Sequence, residues 1–78
     1  MIPGIKNYRS LDNYMLYVEF DDGYKVMYDI RMLPLFRPLL DICGLFKQVR
    51  LDSSRTYFFW NEEIDLASDC IYEYGVVA

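Results

Sequence analysis

The sequence predicts a single α+β domain spanning 1–78, with a mainly antiparallel sheet of about five strands and two short helices in the order β-β-β-α-β-β-α. Three observations carry that prediction. Residues 14–30 alternate apolar and polar side chains on either side of an Asp-Asp-Gly turn. Residues 35–43 switch to helical spacing. The chain has 78 residues and no repeat, low-complexity stretch or linker, which leaves room for one core only.

Pro3 and Gly4 open the chain, and residues 5–9 read as a first short strand. Ser10 to Asn13 reads as a turn. In the next segment Tyr14, Leu16, Val18 and Phe20 alternate with Met15, Tyr17 and Glu19. Tyr24, Val26, Tyr28 and Ile30 alternate with Lys25, Met27 and Asp29. Asp21-Asp22-Gly23 joins the two strands. A two-residue loop would set Val18 against Met27 and Leu16 against Asp29. A three-residue loop sets Val18 against Val26, Leu16 against Tyr28, Tyr17 against Met27 and Glu19 against Lys25. The second register matches apolar with apolar and acid with base. Because a one-residue slip reverses both faces, the pattern selects the three-residue loop, with Gly23 left-handed at a bulge.

Leu35, Phe36, Leu39, Leu40 and Cys43 recur at helical spacing, which predicts a helix over 32–43. Pro34 suits its first turn, Pro38 shortens or kinks it, and Gly44 ends it. Residues 45–51 read as a strand, and Asp52-Ser53-Ser54 as a turn. Residues 56–60 are apolar on both faces, which predicts a central or doubly covered strand. Residues 61–65 read as a polar connection. Ser68 is placed to cap a last helix, Asp69 falls in its first turn, and Gly75 stops it.

Composition narrows the functional classes. The chain is 54% apolar and 18% aromatic, with eight tyrosines. A domain this small hides only about 60% of the surface its unfolded chain exposes. The surplus either stays exposed or is covered by a partner, whether a second copy in a homodimer or another protein. The net charge is −4. Residues 1–39 hold five bases and five acids, whereas residues 40–78 hold three bases and seven acids. Direct nucleic-acid binding needs a basic footprint, so it is not expected. An acidic surface suits a basic protein partner, or simply keeps the chain soluble. No leader-like or membrane-spanning run is present, and the two cysteines, Cys43 and Cys70, make no disulfide framework. A cytoplasmic setting with free thiols is expected.

Catalytic and metal-binding patterns are missing. With no histidine, the commonest general base and a principal metal ligand are gone. Cys43 and Cys70 lack the close partner that zinc sites use, and they read better as small apolar residues. The four glycines are scattered and build no phosphate loop. Neither a metal nor a cofactor is expected, and the chain is not read as an enzyme. Glu62, Glu63 and Asp65 form the densest acidic cluster. They could hold a cation, or merely line a solvated loop. Met15, Tyr17 and Met27 share the hairpin face opposite the core. That face is either an interaction surface or is covered by a helix of the same chain.

Near the C-terminus, Trp60, Asp65-Leu66, Asp69 and Ile71-Tyr72 spell W-x4-D-L-x2-D-x-I-Y. This resembles the signature of a small bacterial family named only as domain of unknown function 2442. The strand 16–20 followed by Asp22-Gly23, Asp29 six residues after Gly23, Pro38-Leu39 before Asp41, and Phe46 ahead of Val49 are similar too. The resemblance covers nearly the whole chain. It implies a compact α+β fold and no established activity. It also implies a binding role beside a second small protein, in arrangements similar to toxin–antitoxin pairs. Two positions depart from the pattern. Asn61-Glu62-Glu63 stands where many members have Pro-Asn-Gly, and Ser68 stands where many have proline. A ligand shared at that turn is therefore not implied.

The motif also has a structural reading. Trp60 would anchor the core at a strand end, and Asp65 would accept backbone N–H groups in a turn. Ile71 would pack the helix, and Tyr72 would keep its hydroxyl at the rim. The sequence thus points to a protein-interaction module, and the resemblance implies that its form is the antitoxin-like partner of a second small protein. Its interaction surface is expected among Met15, Tyr17, Met27, Trp60, Glu62, Glu63, Asp65 and Tyr72. The alternative is a small-ligand or cation-binding domain using the acidic turn 61–65.

Overall fold

A computed structural model describes residues 2–32, 44–60 and 64–78. Strands β1 (Ile5–Ser10), β2 (Met15–Phe20) and β3 (Lys25–Asp29) form an antiparallel meander. The β2–β3 hairpin takes the register that side-chain matching selects: Leu16 faces Tyr28, Tyr17 faces Met27, Val18 faces Val26 and Glu19 faces Lys25. Its loop has three residues, 21–23. The Phe20 and Gly23 amides bond the Tyr24 and Phe20 carbonyls, each at 2.9 Å. Gly23 has φ +88°, the left-handed region that glycine enters without a Cβ clash. Asp22 Oδ1 accepts the Tyr24 amide at 2.9 Å and tightens the turn. The β1–β2 connection is a 3-10 turn, Asp12–Tyr14. There Asn13 and Tyr14 are both left-handed, and the Leu11 amide bonds the Met15 carbonyl at 2.8 Å.

The second sheet is β4 (Arg50–Leu51), β5 (Tyr57–Phe59) and β6 (Asp65–Ala67), again antiparallel, with β5 in the centre. Helix α1 (Ser68–Tyr74) follows β6 directly. After Gly75, the strand β7 (Val76–Val77) returns to the first sheet and pairs with β3, giving the order β1-β2-β3-β7. The two sheets are tied by main-chain bonds. The Ile5 amide donates to the Arg55 carbonyl at 3.0 Å.

One buried cluster fills the interior. Leu16, Val18, Phe20, Val26 and Tyr28 come from one face of the first sheet. Phe58 and Leu66 come from the second, joined by Ile5, Ile30, Phe46, Trp60 and Ile71. Trp60 anchors this core at the end of β5, with 7% of its surface exposed. Its indole N–H donates to the buried Phe46 carbonyl at 3.0 Å, satisfying a polar group that would otherwise be stranded.

Several expectations need correction. The chain folds into two antiparallel sheets rather than one, and seven strands and one α-helix occur among the described residues. The expected strand over 45–51 is mostly a 3-10 turn, Phe46–Gln48, with only Arg50–Leu51 extended. Burying Phe46 against Trp60 favours the turn. Strand β5 is central but not doubly covered, since Tyr57 is exposed and donates its hydroxyl to Asp52 Oδ1 at 3.0 Å. Ser68 does not cap α1. It is the first helical residue and is buried, and Ala67 holds the cap position. Asp69 does occupy the first turn, and Gly75 does end the helix, in an extended conformation. Beyond Met32, the last residue of a short 3-10 turn, the helix expected over 32–43 lies outside the described residues, as does Cys43.

Two glycines separate backbone strain from steric exclusion. Gly23 has open space around it and a positive φ, so Gly23→Ala should cost about 1–2 kcal/mol through the left-handed backbone alone. Gly75 has an ordinary φ of −69°. A Cβ there would lie 2.6 Å from the Ile71 carbonyl oxygen and 3.0 Å from Val26 Cβ. Gly75→Ala should therefore cost about 1–3 kcal/mol through overpacking. Urea unfolding measures both. The Gly75 loss should be accompanied by weakened amide protection at β7, and the Gly23 loss should not.

Candidate functional site

The outer face of the first sheet follows from strand alternation. Leu16, Val18, Val26 and Tyr28 point inward, so Met15, Tyr17 and Met27 point outward and remain half-buried. Strand β7 extends this face, because Val76 pairs with Met27. Helix α1 contributes Cys70 and Tyr74, four residues apart on one side of the helix. Together Met15, Met27, Tyr28, Cys70, Tyr74 and Val76 line an apolar cleft of about 310 Å³, with Asp29 at its margin. Two of the lining residues, Tyr74 and Val76, are 73% and 71% exposed, and Val77, 67% exposed, pairs with Val26 and so lies on the other face of β7.

Few charges enter the cleft. The Tyr28 hydroxyl lies 3.4 Å from Cys70 Sγ. Burial and that contact raise its pKa well above the ordinary 10.0, so it stays neutral. At the margin, Arg31 donates to Asp29 through Nε at 3.0 Å and through Nη2 at 2.8 Å. That fork holds the Asp29 carboxyl below its ordinary pKa. On α1, Asp69 and Glu73 are exposed and form no ion pair among the described residues. Residues 64–78 carry three acids, Asp65, Asp69 and Glu73, and no base. A second groove, of about 370 Å³, runs beside β1 with Asn7, Arg9 and Tyr17 in its wall.

The expected interaction residues therefore divide. Met15 and Met27 share the cleft, and Tyr17 lies on the same sheet face but opens onto the β1 groove. Trp60 is a core residue and offers no surface, because its large ring is needed to close a thin interior. Asp65 is exposed on β6 opposite Phe59. No side-chain hydrogen bond of Asp65 occurs among the described residues, so the expected turn-capping role is not seen. Glu62 and Glu63 lie outside the described residues. Among the described residues no group of three acidic or thiol side chains is placed to hold a metal ion. No helix of the described residues is long and apolar enough to cross a membrane.

Tyr72 serves a different purpose. Its ring packs edge-on against Phe20 at 4.9 Å and tilts against Tyr24 at 4.8 Å. Its hydroxyl, at the rim as expected, donates to Asp22 Oδ2 at 2.7 Å and ties α1 to the hairpin turn. Cys70, Tyr74 and Val76 were not foreseen in the site. The signal available was the β-branched pair Val76-Val77 after a helix-ending glycine, a pattern that suits a returning strand.

A family model described as "Protein of unknown function (DUF2442)" matches residues 5–76. No curated protein and no solved structure matches the chain.

The Asp22–Tyr72 tie is testable by titration. The Tyr24 amide and the Tyr72 hydroxyl bond the Asp22 carboxylate and hold its pKa below the ordinary 3.8. A group depressed on folding adds stability above its unfolded pKa, and that stability is lost as pH falls through the folded value. Tyr72→Phe keeps the ring but removes the hydroxyl donor. NMR titration of the Asp22 carboxyl should show its pKa moving up toward 3.8, and the stability loss below the ordinary carboxylate range should shrink. An unmoved Asp22 pKa would show that the Tyr24 amide alone sets it.

Proposed function

The chain belongs to the DUF2442 family, and we propose that it acts as a protein-interaction module that docks a partner on the apolar cleft between α1 and β3. The observation that carries this reading is that the cleft's own lining includes the highly exposed Tyr74 and Val76. A small domain gains nothing in folding from apolar side chains left in water, and contiguous patches of this kind mark contact surfaces. Tyrosine and methionine dominate the lining, residue types enriched in interface cores and suited to a partner's irregular shape. The antitoxin-like half of a pair of small bacterial proteins is the form of this module that the W-x4-D-L-x2-D-x-I-Y resemblance supports. Its proposed setting is the cytoplasm, with Cys43 and Cys70 as thiols. The role is non-enzymatic, and the acidic charge balance argues against direct contact with nucleic acid.

Capture of partners on the tagged chain in its own cell checks this. Met27→Glu places a charge in the cleft wall on the half-exposed face, leaving the core side of β3 unchanged. Its recovery of the partner should fall by about tenfold or more, with the melting temperature little changed. Equal recovery by the wild type and Met27→Glu would refute the docking face. Recovery of the monomer alone would refute the interaction reading.

A further inference from the structure

The free edge of β7 has a specific backbone layout. In an antiparallel ladder, alternate residues turn their N–H and C=O groups toward opposite neighbours. The Phe20 amide bonds the Tyr24 carbonyl, which places Val26 on the β2 side and Lys25 and Met27 on the β7 side. The Ala78 amide accordingly bonds the Lys25 carbonyl at 3.0 Å. Val77, opposite Val26, therefore turns its N–H and C=O away from β3, and β7 ends the sheet. Val76 and Val77 are apolar and exposed, and no side chain of residues 74–78 is charged; the neighbouring cation, Lys25, lies one strand in, on β3. The opposite edge, β1, carries Lys6 and Arg9, and its first residue is already bonded to Arg55.

Resting on the interaction reading above, we infer that β7 accepts an extended segment of a basic partner protein as an added strand. Val77 supplies the main-chain donor and acceptor. Apolar side chains of the segment rest on Val76, on the outer face, and reach the cleft beside Met27. Its lysine or arginine side chains meet Asp69 and Glu73. Strand addition takes its affinity from backbone bonds and its selectivity from alternating side chains. Charge decides against a second copy. A two-fold pairing of β7 would bring together two copies of the segment 68–78, each with two acids, Asp69 and Glu73, and no base. The same segment would be repelled by Lys6 and Arg9 on β1, so of the two edges of this four-stranded sheet β7 is the one open to it.

The probe is the synthetic peptide Lys-Val-Lys-Val-Lys-Val, compared with Glu-Val-Glu-Val-Glu-Val, added to the isotope-labelled full chain. The basic peptide should slow hydrogen exchange at the Val77 amide by about tenfold or more and shift the Met15 and Met27 methyl signals. The acidic peptide should do neither. Val77→Lys keeps the main-chain bonds to β3 but adds like charge, and it should remove the response while the Met27 amide stays protected. Methyl shifts without Val77 protection, equal protection by the acidic peptide, or no response to the basic peptide would overturn the inference. So would Val77 protection that rises with protein concentration as the mass in light scattering doubles. If Met27→Glu abolishes partner capture in the cell while Val77→Lys leaves it intact, the docking cleft stands and strand addition falls.

Discussion

The register of the β2–β3 hairpin is the constraint on which the rest of the molecule depends. It fixes which side chains of β3 enter the core and which backbone groups of β3 remain for a fourth strand. Val26 spends its main-chain bonds on β2 and its side chain on the core. Met27 does the reverse, bonding toward β7 and showing its side chain on the outer face. A slip of one residue would exchange these roles. It would bury Lys25 and Asp29 and put Val26 and Tyr28 in water. The cleft, the placement of Val76 and the outward turn of Val77 all inherit this parity. The turn that enforces it is small: one left-handed glycine and one carboxylate on the Tyr24 amide.

What could be read from the sequence follows from how local each signal is. The hairpin was legible because alternation, turn chemistry and cross-strand matching all lie within seventeen residues and agree. Trp60 as an anchor and Gly75 as a helix stop were legible for the same reason. Strand β4 was read too long because residues 48–51 alternate polar and apolar and no Gly or Pro separates them from residues 45–47. The choice between strand and 3-10 turn was made instead by a remote partner, the stacking of Phe46 on Trp60. Strand β7 was missed because two residues carry no periodicity, and their conformation is imposed by the open side of β3. The site divides the same way. Met15 and Met27 announce themselves by facing away from the core. Cys70, Tyr74 and Val76 join them only through the return of the chain after α1.

The tyrosines show how a small domain uses residues that are both bulky and polar. Tyr28 fills the core beneath α1 with its hydroxyl against Cys70. Tyr57 and Tyr72 each lay a ring on neighbouring aromatics and send the hydroxyl to a turn aspartate, Asp52 and Asp22. The two aspartates also accept a backbone amide two residues on, so each carboxylate fastens its own turn and a distant ring at once. A phenylalanine in either place would pack as well but would leave the turn tied only to itself. Much of the aromatic surplus is thus consumed in fastening loops to the sheets.

Among the described residues, the most exposed of the large apolar side chains that this fastening leaves over lie at one margin. The hairpin tip is closed by Tyr72 and Tyr24, and the start of β1 by the turn at Arg55. At β7 there is no equivalent: Tyr74, Val76 and Val77 lie open beside a cleft of methionines. Charge sharpens the contrast. Natural sheets discourage unwanted pairing by placing lysine or arginine on an edge, as β1 does with Lys6 and Arg9. Strand β7 has no charged side chain of its own and follows a helix whose charges are all negative, a balance that disfavours acidic neighbours more than basic ones. If β7 accepts a strand as proposed, the asymmetry between the two ends of one four-stranded sheet would itself act as a selectivity device, with lysine and arginine on the β1 edge and no charged side chain on β7.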